Sequence, residues 1–178
     1  MDQIRPLIDR YAVATLMNFT SFILICISLF SENWLTVSIN YIGIKKSYSA
    51  GICCNMAPLA GYLKVTLGFM FTIFFISIIC LGIGCAVFFF KIKKPDEQKV
   101  PLLKRISALL NAVILACALF LLFFTGISFA TNSSYKYFKA LGGHYNLSTC
   151  YWLLIPIAVL NAISAYLSVN LREEFNRY

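Results

Sequence analysis

Residues Val65–Phe90 read VTLGFMFTIFFISIICLGIGCAVFFF, and no charged side chain interrupts them. A helix needs about 20 apolar residues to cross a hydrocarbon core of roughly 30 Å. This run meets the requirement with residues to spare, so it decides the fold class. Three more runs share its character: Tyr11–Phe30, Ile106–Ala130 and Tyr151–Leu171. The spacing predicts four transmembrane helices over about 11–30, 65–90, 106–130 and 151–171. The second and third are longer than a crossing demands, so they are expected to tilt or to project beyond the bilayer.

Composition agrees. The 178-residue chain is 60% hydrophobic, 16% aromatic and 12% charged, with a mean hydropathy of +0.80. Soluble domains carry roughly 25% charged and 45–50% apolar residues. The chain reads as one four-span membrane domain over 1–178, with no separate soluble module. The first run is read as a retained span rather than a signal peptide. Its apolar stretch is long, and Ser31-Glu32-Asn33-Trp34 offers no small-x-small cleavage site.

The net charge of +8 is explained by orientation rather than by nucleic-acid binding. Arg5 and Arg10 precede the first span, and Arg172 and Arg177 follow the fourth. Lys91, Lys93, Lys94, Lys99, Lys104 and Arg105 fill the loop between the second and third. The opposite side holds Lys45, Lys46, Lys64, Lys136 and Lys139. The excess of Lys and Arg predicts that both termini and loop 91–105 are cytoplasmic. Loops 31–64 and 131–150 then face outward, in a multi-pass protein of the plasma membrane. The basic loop beside the bilayer is expected to attract anionic lipid headgroups. Two sequons, at Asn132 and Asn146, fall in the second outer loop and are the glycosylation candidates. A third, at Asn18, lies inside a span.

The first outer loop carries a local signal. Leu35-Thr36-Val37-Ser38-Ile39-Asn40-Tyr41 alternates apolar and polar residues with the period of a half-buried strand. A turn is expected over Gly43–Lys46, a return strand over Ser47–Cys54, and an extended lead into the second span over Pro58–Lys64. A lone hairpin is marginal in water, so the helix ends or a partner must cover its apolar side. The predicted fold is an all-α membrane bundle capped by a small outer antiparallel sheet.

The spans contain no Asp, Glu, His, Lys or Arg, the usual marks of ion pathways and intramembrane catalysis. The outer loops hold one carboxylate, Glu32. No catalytic residue, cofactor site or metal site is therefore expected. His144 stands alone and cannot assemble a zinc ligand set with Cys53 and Cys54. What the spans offer is packing. Ala108, Ala112 and Ala116 recur at four-residue intervals, as do Ala158 and Ala162 beside Asn161. Small residues permit close approach of helices, and Asn161, Asn18 and Asn111 can hydrogen-bond between them. The alanines suit packing inside the bundle, or docking of a partner's helix. Tyr11, Trp34, Tyr151 and Trp152 are expected in the interfacial aromatic belt. Cys26, Cys80, Cys85 and Cys117 lie within spans and behave as small apolar residues; Cys85 is also a candidate for acylation.

The layout of four spans, a larger first outer loop with strands and a smaller second one resembles the claudin / peripheral myelin protein / epithelial membrane protein superfamily. Trp34 after the first span, and Gly51-Ile52-Cys53-Cys54 further on, are similar to that family's tryptophan, Gly-Leu-Trp and cysteine signature. Tyr151-Trp152-Leu153-Leu154 and Arg172-Glu173-Glu174 are similar to the myelin branch. The chain departs from the pattern in three places. The second tryptophan of Gly-Leu-Trp is missing, no cysteine lies between Asn55 and Lys64, and the ending Phe175–Tyr178 is not a PDZ-binding tail. The resemblance implies a divergent, non-catalytic tetraspan that binds other integral membrane proteins or itself, as an accessory subunit or an adhesion and scaffold component. The competing reading is a channel or small-solute pathway.

Cys53, Cys54 and Cys150 would face an oxidising compartment. Adjacent cysteines on a strand point to opposite faces, and their Cα separation of about 3.8 Å is short for a bridge. The leading expectation is that one of them bonds Cys150 and replaces the missing family disulfide. Free buried thiols, an intermolecular bond and a local bridge are the alternatives.

Overall fold

The computed structural model describes residues 5–41, 44–50, 52, 61–93, 99–131 and 143–170. Its long helices are α1 (Arg5–Phe30), α2 (Gly61–Lys93), α3 (Lys99–Thr131) and α5 (Leu154–Asn170), the last preceded by the short α4 (Thr149–Trp152). Four segments are long and apolar enough to cross a membrane: Tyr11–Phe30, Gly61–Phe90, Val100–Thr131 and Thr149–Ser168. The helices outrun the apolar stretches. Lys91 and Lys93 continue α2, and Lys99–Arg105 open α3. A helix satisfies its own backbone, and basic side chains can bend toward water, so the onset of charge does not end it. The extended lead expected over Pro58–Lys64 is corrected for 61–64, which are already helical; 58–60 lie outside the described residues.

The break between α4 and α5 has a local cause. Pro156 has no N–H to offer the carbonyl of Trp152, and its ring crowds that carbonyl. The chain bridges the gap with Leu153 N–H donating to Thr149 O at 3.0 Å and Ile157 N–H to Leu153 O at 3.2 Å.

The helices form a ring in which α1 packs on α2 and α5, and α3 packs on α2 and α5. Buried positions set each inner face. On α1 they are Tyr11, Ala14, Asn18, Ser21, Ile25 and Ser28; on α3, Ser107, Asn111, Ile114, Ala118, Leu121 and Thr125. Leu63, Thr66, Met70, Ile73, Ser77 and Cys80 serve α2, and Leu154, Ile157, Asn161, Ser164 and Ser168 serve α5. Steps of three and four alternate on every helix. Their mean is the 3.5-residue repeat of left-handed bundle packing. The outer faces display Phe19, Phe75, Leu109, Phe123 and Tyr166.

The interior has three levels. Toward the sheet end lies a large apolar cluster that includes Ile25, Leu29, Met70, Ile73, Leu121 and Leu154. At the far end Tyr11 and Val87 pack with Ile83, Phe88, Val100 and Leu103, and the Lys104 ammonium sits 5.5 Å from the Tyr11 ring centroid. Between the two, the inner faces of α1, α3 and α5 carry a polar seam that includes Asn18, Asn111, Asn161 and Ser164. Where helices pass closest, small residues make room: a Cβ on Gly84 would lie 3.1 Å from Thr15 Cγ2.

The sheet caps one end. It has three antiparallel strands in the order β2-β1-β3, with β1 over Leu35–Tyr41, β2 over Ile44–Ala50 and β3 over Gly143–Leu147. Strand β1 matches the alternating stretch. The expected return strand Ser47–Cys54 is present over 47–50 and starts earlier, so the turn expected over Gly43–Lys46 is corrected for 44–46; Gly43, Gly51, Cys53 and Cys54 lie outside the described residues. Tyr41 pairs with Ile44 and Leu35 with Ala50, so strand pairing already claims Ile44, Lys45 and Lys46. Strand β3 was not anticipated. It pairs Leu35 with Leu147 and Thr36 with Asn146, across more than a hundred residues of chain, and its short GHYNL sequence has no alternation to reveal it.

Candidate functional site

The feature that the fold builds outside the bundle is the sheet and its attachment to the helix ends. Trp34 sits four residues beyond the end of α1 and is 1% exposed. Its indole N–H donates to the carbonyl of Ser28, in the last turn of α1. That carbonyl is one of the last four, which have no partner within the helix. The Ser28 hydroxyl donates in turn to Cys150 O at 3.0 Å. Backbone bonds complete the clamp: Ser148 N–H to Trp34 O at 2.9 Å and Cys150 N–H to Asn33 O at 3.1 Å. Leu35, Ile52, Cys150 and Tyr151 pack beneath the sheet in the same apolar cluster as Trp34. The Tyr151 hydroxyl reaches α3, donating to Leu122 O at 2.7 Å in a space left open by Gly126.

Alternation gives the sheet two unlike faces. Leu35 is buried against the bundle, while Ser49 and Asn146 are exposed and Thr36 and Ser38 half-buried. Thr36 is paired with both Ser49 and Asn146, so these three share one face. The helix ends or a partner were expected to cover the apolar side; the helix ends cover Leu35, and Thr36, Ser49 and Asn146, on the opposite face, are polar.

The signature and cysteine candidates divide. Trp34 is the anchor of the clamp. Gly51, Cys53 and Cys54 lie outside the described residues, as does Asn132. Cys150 is a buried free thiol. Asn146 stands exposed on β3, and His144 occupies the register position opposite Ser38. Among the described residues no three His, Cys, Asp or Glu side chains gather into a metal-binding group.

The packing candidates divide between their two readings: Ala108 is buried within the bundle, and Ala112 and Ala116 are exposed on the outer side of α3. Helix α3 is apolar all round, so small size did not identify its inner face; Ser107, Asn111 and Thr125, at the bundle repeat, mark it. Asn161 does join helices: its amide N–H donates to Ser21 Oγ on α1 and to Ile157 O, both at 2.7 Å. Thr66 and Thr125 link α2 to α3 at 2.9 Å. The aromatic belt is corrected as well. Trp152 is exposed, but Tyr11, Trp34 and Tyr151 are buried, and the indole and phenol groups of Trp34 and Tyr151 find acceptors inside.

Sequence reasoning missed the Ser28–Trp34–Cys150 clamp and the Tyr151–Gly126 fit. Neither had a local sequence signal, because the acceptors at Ser28, Cys150 and Leu122 are backbone carbonyls; the three-and-four spacing of Ser and Asn in the spans signals only the inner helix faces.

A family model described as "Tight junction protein, Claudin-like" matches residues 1–177. Comparison with curated proteins finds no match.

Proposed function

The chain belongs to the claudin-like family of tight junction proteins, multi-pass integral membrane proteins, and on that premise we propose that it acts without catalysis, through contacts with other membrane proteins, as an accessory subunit or an adhesion and scaffold component. The observation that carries this reading is the clamp. Hydrogen bonds from Trp34, Ser28, Ser148 and Cys150 fix β1 and β3 to the end of α1. The polar face bearing Thr36, Ser49 and Asn146 is therefore held as a fixed surface above the bundle. A preorganised surface loses little freedom when it binds. The positive-inside asymmetry favours placing that surface outside the cell, with both termini in the cytoplasm and the protein in the plasma membrane. Ala112 and Ala116, exposed on α3, offer a second place where a neighbour's helix can approach.

An oxidation-dependent tie fits the same arrangement. Ile52, which precedes Cys53, packs in the cluster that contains Cys150. Non-reducing peptide mapping of protein from an oxidising compartment should recover a peptide linking Cys53 or Cys54 to Cys150; mapping that recovers only free thiols removes this tie.

Crosslinking in native membranes followed by mass spectrometry tests the main reading. Crosslinks from the sheet to another membrane protein, or to a second copy, are the expected result. Purified protein that passes selective current in liposomes would overturn it in favour of a channel.

A further inference from the structure

The polar seam contains two carbonyl oxygens with no hydrogen-bond partner among the described residues. Asn18 on α1 is 6% exposed and Asn111 on α3 is 0% exposed. The Oδ1 atom of each is buried with no hydrogen-bond partner. The neighbouring groups are arranged in a chain across three helices. Asn111 Nδ2 donates to Ser107 O at 2.9 Å and to Ser164 Oγ on α5 at 3.3 Å. The Ser164 hydroxyl donates to Ala14 O on α1 at 3.3 Å, and Ser168 donates to Ser164 O at 2.8 Å. Ala14, Asn18 and Ser21 follow one another on the inner face of α1, and Ser21 receives the amide N–H of Asn161. Asn18 therefore lies between the Ser164 contact and the Asn161 contact, inside the seam.

Rotating the Asn111 amide does not remove its problem. Ser107 O can only accept, so Nδ2 must face it and Oδ1 must point away. The hydroxyls of Ser164 and Ser168 already direct their protons at backbone carbonyls, so neither is free to donate to an amide oxygen. A bare carbonyl at membrane depth is costly. The seam residues named are all uncharged, so nothing in it offsets the desolvation of an ion. A small neutral molecule with two protons to donate fits, and polar interior sites of this kind are where proteins hold ordered water.

We propose that the seam between α1, α3 and α5 binds internal water, donating to Asn18 Oδ1 and to Asn111 Oδ1. The bundle is then a hydrated one at this level, with the cluster of Ile25, Ile73 and Leu154 on one side and that of Tyr11 and Val87 on the other. The inference stands apart from any partner of the sheet.

Two measurements test it. In asparagine-labelled protein in nanodiscs, the side-chain amide protons of Asn18 and Asn111 should show nuclear Overhauser transfer from water. That transfer should survive a gadolinium chelate that bleaches amides reached by bulk solvent. Its absence overturns the proposal. Separately, Asn18→Leu should lower the thermal midpoint by about 2–4 °C, because it strands the water's remaining partners. A raised midpoint would mean that a bare carbonyl had been removed, and would overturn the proposal. So would a wild-type midpoint that falls when choline replaces sodium while Asn18→Leu does not respond, since that identifies a bound cation.

Discussion

Gly126→Ala is a substitution whose sign should depend on a residue in another helix. A Cβ built on Gly126 would lie 2.8 Å from the Tyr151 hydroxyl oxygen and 3.8 Å from Cζ. The first distance is shorter than real contacts allow, so the phenol must move. In moving it leaves Leu122 O, to which it donates at 2.7 Å. A buried hydroxyl without a partner costs about 1–3 kcal/mol. Against this, alanine is favoured over glycine inside a helix by about 1 kcal/mol. In the wild type the loss should equal or exceed the gain, and Gly126→Ala should be neutral to destabilising by about 2 kcal/mol. Tyr151→Phe removes the oxygen, leaving only the ordinary contact at 3.8 Å. In that background Gly126→Ala should stabilise by up to about 1 kcal/mol. Thermal unfolding of the four proteins in one detergent, followed by size-exclusion fluorescence, reads the cycle; 1 kcal/mol corresponds to about 2–4 °C at this size. The reasoning predicts a coupling of about 1–3 kcal/mol between the two sites. If Gly126→Ala has the same effect in both backgrounds, within about 0.5 kcal/mol, the packing argument is wrong.

Trp34→Ala should cost about 3–5 kcal/mol by opening a cavity beneath the sheet, and limited proteolysis should then cut β1 or β3 before any helix; unchanged protection of both strands would contradict the clamp. Ala108→Leu should destabilise the isolated protein by about 1–3 kcal/mol through overpacking, whereas Ala116→Leu, on the lipid face, should change it by less than about 0.5 kcal/mol. Equal midpoint losses would show that the α3 faces are misassigned. Asn161→Ala should cost about 0.6–1.7 kcal/mol, the range for an interhelical hydrogen bond in a membrane, measured by the same unfolding assay. A cysteine placed by Ser49→Cys should react with a membrane-impermeant maleimide on intact cells; labelling only after permeabilisation would reverse the orientation.

The candidate site was legible only in part. Trp34 could be singled out by its place after the first span, but its role came from Ser28 and Cys150, whose carbonyl and hydroxyl groups carry no sequence signature. Strand β1 was readable because Leu35–Tyr41 alternates with period two, a purely local pattern. Strand β3 was not, because GHYNL becomes a strand by pairing with β1 rather than by its own propensity. The alanines at 108, 112 and 116 left bundle packing and partner docking open for a related reason. Lipid is as apolar as leucine, so hydrophobicity cannot tell the inner face of such a helix from the outer one. The buried Ser and Asn can, whereas a threonine hydroxyl can bond its own helix on the outer face, as Thr20 and Thr72 do.

What the sequence determined by itself was the solvent. Apolar runs too long and too complete for water required four membrane helices, and the distribution of Lys and Arg set the expected orientation. Those are one-dimensional properties, and each residue contributes to them regardless of its neighbours. Which faces meet, where β3 joins the sheet, how Trp34 fastens it and which two asparagine carbonyls lack partners were decided by the tertiary structure alone. Each depends on groups brought together from distant parts of the chain, and directional hydrogen bonds and close packing exist only once those groups are in place.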